Sequence, residues 1–294
     1  MIRGKGPWPV GNSETDVRKW FISRISDSIE EPEHLPLTNL CLDHISEKTK
    51  GQRLVEDYKY PESQLDRLSV IADEIKRGRP IQYVLGITQF CNLQISIDEG
   101  ALIPRPETEE LVQRVNAELG SGFNGKIADI GTGSGCIALA LKESNPLAEV
   151  IGFDVSESAL TIAKLNGQNL CLGVDFMQLN ALIETPSQSF NVIVSNPPYI
   201  PRSEEQKLEK RVRDYEPSIA LFVENDPLVF YKRILELCTS GVLLKGGLLA
   251  LECHRDYAEI VSKHIESKEV FEKVELVYDF QKVPRHVIAQ NCLY

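Results

Sequence analysis

The chain has 294 residues, with 43 acidic against 32 basic side chains and a formal net charge of −11. That balance argues against nucleic-acid backbone as the main partner, since such binding favours a basic surface. No apolar run approaches the ~20 residues needed to span a bilayer. With 42% hydrophobic and 26% charged residues the composition is that of a globular chain, long enough for two domains. The seven cysteines are scattered and form no Cys-x-x-Cys pair, the pattern of reduced core thiols. The N-terminal MIRGKGPWPVGNSETD lacks an apolar signal core, so a cytoplasmic location is expected.

Residues 1–12, rich in Gly and Pro, read as a loose tail. Ser13-x-x-Asp16 opens a helix carrying Val17, Phe21 and Ile25 at helical spacing. A second helix is expected over Thr38–Thr49. A third is expected over Glu62–Arg77, with Leu65, Leu68, Ala72 and Ile75 on one face and a stop at Gly78. Residues 1–80 are therefore expected to form a small helical domain without a catalytic cluster.

Residues 81–104 change character and read as a linker with short strands, FCNLQISID alternating as a strand. In ALIPRPETEELV the prolines fix an extended entry. A helix then begins near Glu107, whose acids, Glu107 and Glu109, suit the positive end of the helix dipole better than a general-base role. From KIADI onward strands and helices alternate through CIALALKES, EVIGFDV, SESALTIAKLNGQNL, VDFMQLN and FNVIVSN. A helix near Pro227–Cys238 precedes the strand GGLLALEC. EKVELVYDF and RHVIAQNCL then suggest a closing hairpin, which makes one strand antiparallel. The pattern predicts an α/β domain over 105–294, with a mostly parallel sheet covered by helices on both faces. EEQKLEKRVRDYE (204–216) reads as a solvated helix.

Two motifs end strands of this sheet, where ligands of such folds bind. The first is Asp129-Ile-Gly131-Thr132-Gly133-Ser134-Gly135. Its glycines let a ligand approach the backbone, and the helix that follows offers free N–H groups to an anion. The spacing differs from both the dinucleotide fingerprint and the P-loop; a tight structural turn is the plain alternative. Asp154, at the end of the next strand, can accept both hydroxyls of a ribose or can cap the following helix. Together these features favour a nucleoside with a carboxylate at its other end, the outline of S-adenosyl-L-methionine. The second motif is Asn196-Pro197-Pro198-Tyr199. Proline cannot donate to a ladder and stiffens the chain. The Asn196 side-chain carbonyl and the Pro197 backbone carbonyl are two rigid acceptors suited to an NH₂ group, and the Tyr199 ring suits a planar conjugated partner. The alternative is a proline-rich loop that merely closes the strand.

With both motifs placed, the chain resembles the class I S-adenosylmethionine-dependent methyltransferases, which implies a Rossmann-like, seven-stranded, mostly parallel sheet. More closely it is similar to the HemK/PrmC family of peptide chain release factor glutamine N5-methyltransferases. RGRPIQYVLGITQF, LIPRPETEELV, ADIGTGSGCIALAL, GFDVSESALTIAKLN, FNVIVSNPPYIP, EPSIALF and LLKGGLLALE carry the resemblance, over about residues 75–255. It implies that Gly131, Thr132, Gly133, Ser134 and Gly135 hold the methionine end of the cofactor and Asp154 its ribose. Asn196 would hold the substrate amide against the cofactor, with Pro197, Pro198 and Tyr199 completing the catalytic pocket. It further implies a release factor as protein substrate and an Arg105-containing loop that closes over the cofactor site. The chain departs from the family at three places. Asn180-Ala181 stands for an Asp and a large aromatic near the adenine, Glu252-Cys253-His254-Arg255 for an EIG-type stretch, and Asp279 to Arg285 for the usual tail. Rivals of other classes are an adenine amino-methyltransferase acting on DNA or RNA, which would need a basic groove, and a non-catalytic binding scaffold. Cys253-His254 has no second pair at ligand spacing, so no metal is expected.

Overall fold

The computed structural model describes Gly4 and residues 6–292. It divides into two compact units: residues up to Gly86 with Lys210–Tyr215, and Ile87–Glu209 with Glu216 onward. The expected divisions at 80 and 104 therefore move. Residues 87–96 pair as a hairpin that belongs to the second unit, and Lys210–Tyr215 joins the first, where the Tyr215 hydroxyl donates to the Arg77 carbonyl at 3.1 Å.

The first unit contains α1 (Glu14–Ile25), α2 (Glu31–Ser46), α3 (Lys50–Val55), α4 (Glu62–Lys76) and α5 (Ile81–Leu85). Ser13 caps α1 by accepting from the Asp16 N–H at 3.2 Å. α2 begins seven residues before the expected Thr38, because Pro32 sits in the first turn, where no N–H is needed, and the helix tolerates Pro36 inside it. It ends at Ser46; Thr49 instead caps α3, a separate helix that the sequence reading merged with its predecessor. The expected tail is held at several points. Trp20 donates to the Pro7 carbonyl at 2.6 Å, Trp8 stacks on Trp20, and Tyr60 N–H donates to Asn12. Residues 1–3 and 5 lie outside the described residues. Arg53 is fully buried and donates to Glu14 at 2.9 Å and to the Lys48 carbonyl at 2.6 Å, while Tyr60 donates to Glu14 at 2.8 Å.

The second unit opens with β1 (Ile87–Phe90) and β2 (Leu93–Ser96). The single strand expected at FCNLQISID is a hairpin whose two turn residues, Cys91 and Asn92, have φ of 47° and 65°, a left-handed pair that turns without glycine. Then come α6 (Pro106–Leu119), β3 (Lys126–Ile130), α7 (Cys136–Ser144), β4 (Glu149–Asp154), α8 (Glu157–Asn169), β5 (Asp175–Gln178) and β6 (Phe190–Ser195). β7 (Ile200–Pro201) pairs with β8 (Phe222–Val223) as a small separate ladder. The helix expected over 204–216 is split, because Leu208 is extended (ψ 150°), into a 3₁₀ turn at Arg202–Lys207 and α9 (Lys210–Tyr215), the latter counted with the first unit. α10 (Ser218–Leu221), α11 (Val229–Leu237), β9 (Leu243–Glu252), α12 (Ala258–Glu266), β10 (Phe271–Tyr278) and β11 (Pro284–Asn291) complete the unit. α12 has no counterpart in the sequence reading, although Ala258, Val261 and Ile265 have helical spacing and are buried.

The main sheet has the order β10-β11-β9-β6-β3-β4-β5, and β11 alone runs antiparallel to its neighbours. This is the expected seven-stranded, mostly parallel sheet with a closing hairpin. Alternation along its strands builds two cores. Ile127, Val192 and Val194 face α6, α7 and α8, whereas Ala128, Ile193 and Leu249 face α11 and α12. Among the described residues no helix is long and apolar enough to cross a membrane. Gly152 on β4 is a close-packed point, since a Cβ there would lie 2.6 Å from Thr132 Oγ1 and 2.7 Å from the Phe176 ring. Gly152→Val should therefore lower stability by about 1–3 kcal/mol through overpacking. A fall in the urea midpoint at unchanged m-value is the expected outcome; an unchanged midpoint would mean that this packing yields freely.

Candidate active site

Parallel pairing brings three strand ends level. Ile130 is in register with Phe153 on one side and Ser195 on the other, so Gly131, Asp154 and Asn196 lie in one row at the carboxyl edge of the sheet. The Ser195 hydroxyl donates to the Ile130 carbonyl at 2.6 Å and clamps β6 to β3 at this point.

The glycine turn is held from below. Gly131 and Thr132 N–H groups both donate to the Phe153 carbonyl, at 2.8 and 2.9 Å. Thr132 Oγ1 donates to Asp129 Oδ2 at 2.6 Å, and the Ala138 N–H donates to the same oxygen at 3.2 Å. Asp129 is fully buried, and burial pushes its carboxyl up to about 7 against those two hydrogen bonds. Gly131, Gly133 and Gly135 have φ of 76°, 54° and 81°, a left-handed backbone that L side chains rarely adopt. Asp154 accepts from the Gly133 N–H at 2.8 Å and from the Ser156 N–H at 2.9 Å. Its two sequence readings are therefore compatible, because each oxygen keeps a lone pair while it holds both the glycine turn and the start of α8. Burial raises its pKa, and the backbone N–H groups counter that rise.

A cavity of about 220 Å³ opens over this row. Among the expected site residues Gly131, Gly133, Asp154, Asn180, Ala181, Asn196, Pro197 and Pro198 line it. Thr132, Ser134 and Gly135 do not; they support the turn from behind, with the buried Asn166 amide donating to the Ser134 carbonyl at 2.9 Å. Tyr199 does not line it either. Its half-buried ring packs against His254, centroids 5.5 Å apart, and burial raises its hydroxyl pKa. Asn180, which lines the cavity, accepts from the Leu182 N–H through its side-chain carbonyl at 3.1 Å.

Several residues of the site escaped the sequence reading. Leu102, Val155, Leu179, Ile219 and Phe230 make the cavity wall apolar. Glu216, buried, accepts from the Ile103 N–H at 3.3 Å and pairs with Arg105, which ties the IPRP loop to the wall segment Pro217–Ala220. Thr108 donates to Glu252 Oε2 at 2.7 Å and accepts from Asn196 Nδ2 at 3.2 Å. Thr108 and Glu216 lie in stretches quoted above for their resemblance, IPRPETE and EPSIALF, but nothing in the spacing joins them to partners more than 80 residues away. The Pro197 carbonyl accepts no hydrogen bond from the described residues. Cys253 is fully buried and its thiol pKa is raised by burial, the state of a packing residue and not of a nucleophile.

Residues 106–212 match the family model described as Methyltransferase small domain. The chain is 40% identical over 239 residues to the release factor glutamine methyltransferase of Flavobacterium psychrophilum, covering 79% of this chain and 84% of that one. It is 32% identical over 279 residues to the release factor glutamine methyltransferase of Thermodesulfovibrio yellowstonii, covering 94% and 97% of the two chains. Among solved structures, a methyltransferase from Pyrococcus furiosus aligns with a TM-score of 0.51 at 18% identity, over 68% of this chain and 90% of that one, a likeness of fold alone. Relatives this similar over nearly their whole length place the chain in the release factor glutamine methyltransferase family.

Proposed function

We propose that this chain methylates N5, the side-chain amide nitrogen, of the glutamine in the Gly-Gly-Gln loop of a peptide chain release factor. The chain is a methyltransferase, and S-adenosylmethionine is its methyl donor. The residues fit that donor. Gly131 and Gly133 line the cavity, and a Cβ on either would meet no protein atom, so their missing side chains leave room there for a ligand. Asp154 offers carboxylate lone pairs to a ribose, the apolar wall suits a purine face, and the Asn180 NH₂ suits a ring-nitrogen acceptor. When bound, the donor supplies an electrophilic methyl carbon on a sulfonium.

One observation carries the substrate reading: two carbonyl oxygens, Asn196 Oδ1 and Pro197 O, accept no hydrogen bond from the described residues and sit on a proline-stiffened turn that lines the cavity. An amide nitrogen is a weak nucleophile because its lone pair is delocalised. Accepting both of its hydrogens fixes the nitrogen in place and favours positive charge developing on the NH₂ group as it reacts. Asp154 is the one titratable side chain among the described lining residues, and it sits at the ribose end. Orientation and electrostatics therefore do the work here, with the proton lost after transfer. Tyr199, braced by His254, is proposed to flank the amide plane. The helical unit, with Leu35, Leu54 and Val55 exposed, is proposed as the docking surface for the release factor, because an amide pocket alone discriminates little.

Incubation of an intact release factor with isotope-labelled donor, followed by tandem mass spectrometry, tests this reading. One added methyl group on that glutamine is expected. Methylated adenine in DNA or RNA with no modified glutamine would overturn it in favour of the nucleic-acid rival. Asn196→Ala should lower kcat on the order of 10²–10³-fold while donor affinity changes little; near-normal turnover would remove Asn196 from the reaction. Asp154→Ala should weaken donor binding by about 1.5–3 kcal/mol in calorimetric titration, the loss of hydrogen bonds to a charged acceptor. Unchanged affinity would limit Asp154 to bracing the glycine turn and α8.

A further inference from the structure

We propose that Glu252, acting through the Thr108 hydroxyl, fixes which end of the Asn196 side-chain amide faces the cavity, an inference that rests on the amide-holding role just given to Asn196. An Asn side chain is nearly symmetric in shape, and only its hydrogen-bond partners decide whether oxygen or NH₂ points a given way. An ionised carboxylate can only accept. Thr108 must therefore donate its proton to Glu252 Oε2, 2.7 Å away, and its remaining lone pairs can only accept. The Asn196 atom 3.2 Å from Thr108 Oγ1 is accordingly the NH₂ nitrogen, and the same amide also donates toward Glu252 itself. With the NH₂ group committed on that side, Oδ1 is the polar atom left for the cavity that Asn196 lines.

Protonation reverses this polarity. A neutral Glu252 can donate to Thr108 Oγ1, which frees the Thr108 proton to be donated in turn to Asn196. The amide then turns over and presents NH₂ to the cavity, where it opposes a substrate NH₂, donor to donor. One proton from solvent forms the Glu252 O–H bond and no other covalent bond changes; the two hydrogen bonds of the chain reverse, and the amide gives up its contact toward Glu252. Glu252 is 3% exposed. Burial pushes its carboxyl up to about 7, so the reversal falls near neutral pH. The groups around it are Glu107 on α6, which raises it further, and Arg285 on β11, which lowers it. His286 is its cross-strand partner on β11; Tyr231 of α11 donates to its backbone carbonyl at 3.3 Å; Tyr199 and Cys253 also feel its charge. Glu252 and Thr108 are positioning residues, because neither lines the cavity.

The test uses the full chain, labelled donor and intact release factor, with donor affinity measured separately. Thr108→Val keeps the shape and removes the relay, and should lower kcat on the order of 10²-fold at little cost in donor Kd. Thr108→Ser should restore most of that turnover. In the parent enzyme kcat should fall as pH drops through about 7, and Glu252→Gln should abolish that acid limb. A readout free of turnover is the ¹⁵N signal of the Asn196 side-chain amide, which should titrate with pH in the parent and not in Glu252→Gln. Parent-like kcat in Thr108→Val, or an Asn196 signal that does not titrate in the parent, would overturn the relay. An inactive parent enzyme would instead count against the release-factor reading.

Discussion

The site depends on one constraint, the parallel register that sets Ile130, Phe153 and Ser195 level at the carboxyl edge of the sheet. In a parallel sheet every strand delivers its carboxyl end to the same edge, so loops distant in sequence become neighbours there. Here the register places the glycine turn, Asp154 and Asn196 side by side, and the Ser195–Ile130 hydrogen bond keeps them so. A slip of one residue in β6 would turn Val192 and Val194 away from α7 and send Ile193 in their place. The two apolar cores thus fix the position of Asn196 before any ligand arrives.

On that frame the chemistry divides between rigid backbone and oriented side chain. In the proposed reaction the glycine turn and the Pro197 carbonyl would contribute main-chain groups, which lose little freedom on binding. Asp154 and Asn196 contribute side chains already tied down by hydrogen bonds, Asp154 to two backbone N–H groups and Asn196 to Thr108. Pre-organisation matters for this reaction in particular. A delocalised amide nitrogen gains little from a strong base and much from being held still in a fixed field. The Glu216 contacts to Ile103 and Arg105 extend the same principle to the wall, since they fasten the IPRP loop to Pro217–Ala220.

Much of this is legible in the sequence where the information is local. Three glycines alternating between a strand and a helix announce a left-handed turn, and Asn-Pro-Pro after an apolar run announces a stiff exit from the sheet. Non-local features are not legible in the same way. Thr108 and Glu252 are 144 residues apart, and the Thr reads alone as part of a helix start. Glu252 reads alone as a departure from a familiar pattern, whereas in the fold it is the buried end of a hydrogen-bonded chain through Thr108 to Asn196. Tyr199 shows another non-local feature: its ring lies against His254, outside the lining of the cavity, a placement that the Asn-Pro-Pro-Tyr spacing does not give. Local chemistry can also mislead. α2 starts at Glu31, seven residues before the expected Thr38, and runs through Pro36, and Cys91-Asn92 makes a hairpin turn without the usual glycine.

The claim that joins these observations is geometric: a primary amide is held by both of its hydrogens between Asn196 Oδ1 and the Pro197 carbonyl. A crystal structure with the demethylated product of the donor and a glutamine-bearing release factor loop tests it directly. The expected result is the glutamine nitrogen within about 2.7–3.2 Å of both oxygens, with the Asn196 NH₂ still bonded to Thr108. A glutamine bound through its carbonyl to the Asn196 NH₂, or seated away from Pro197, would contradict it.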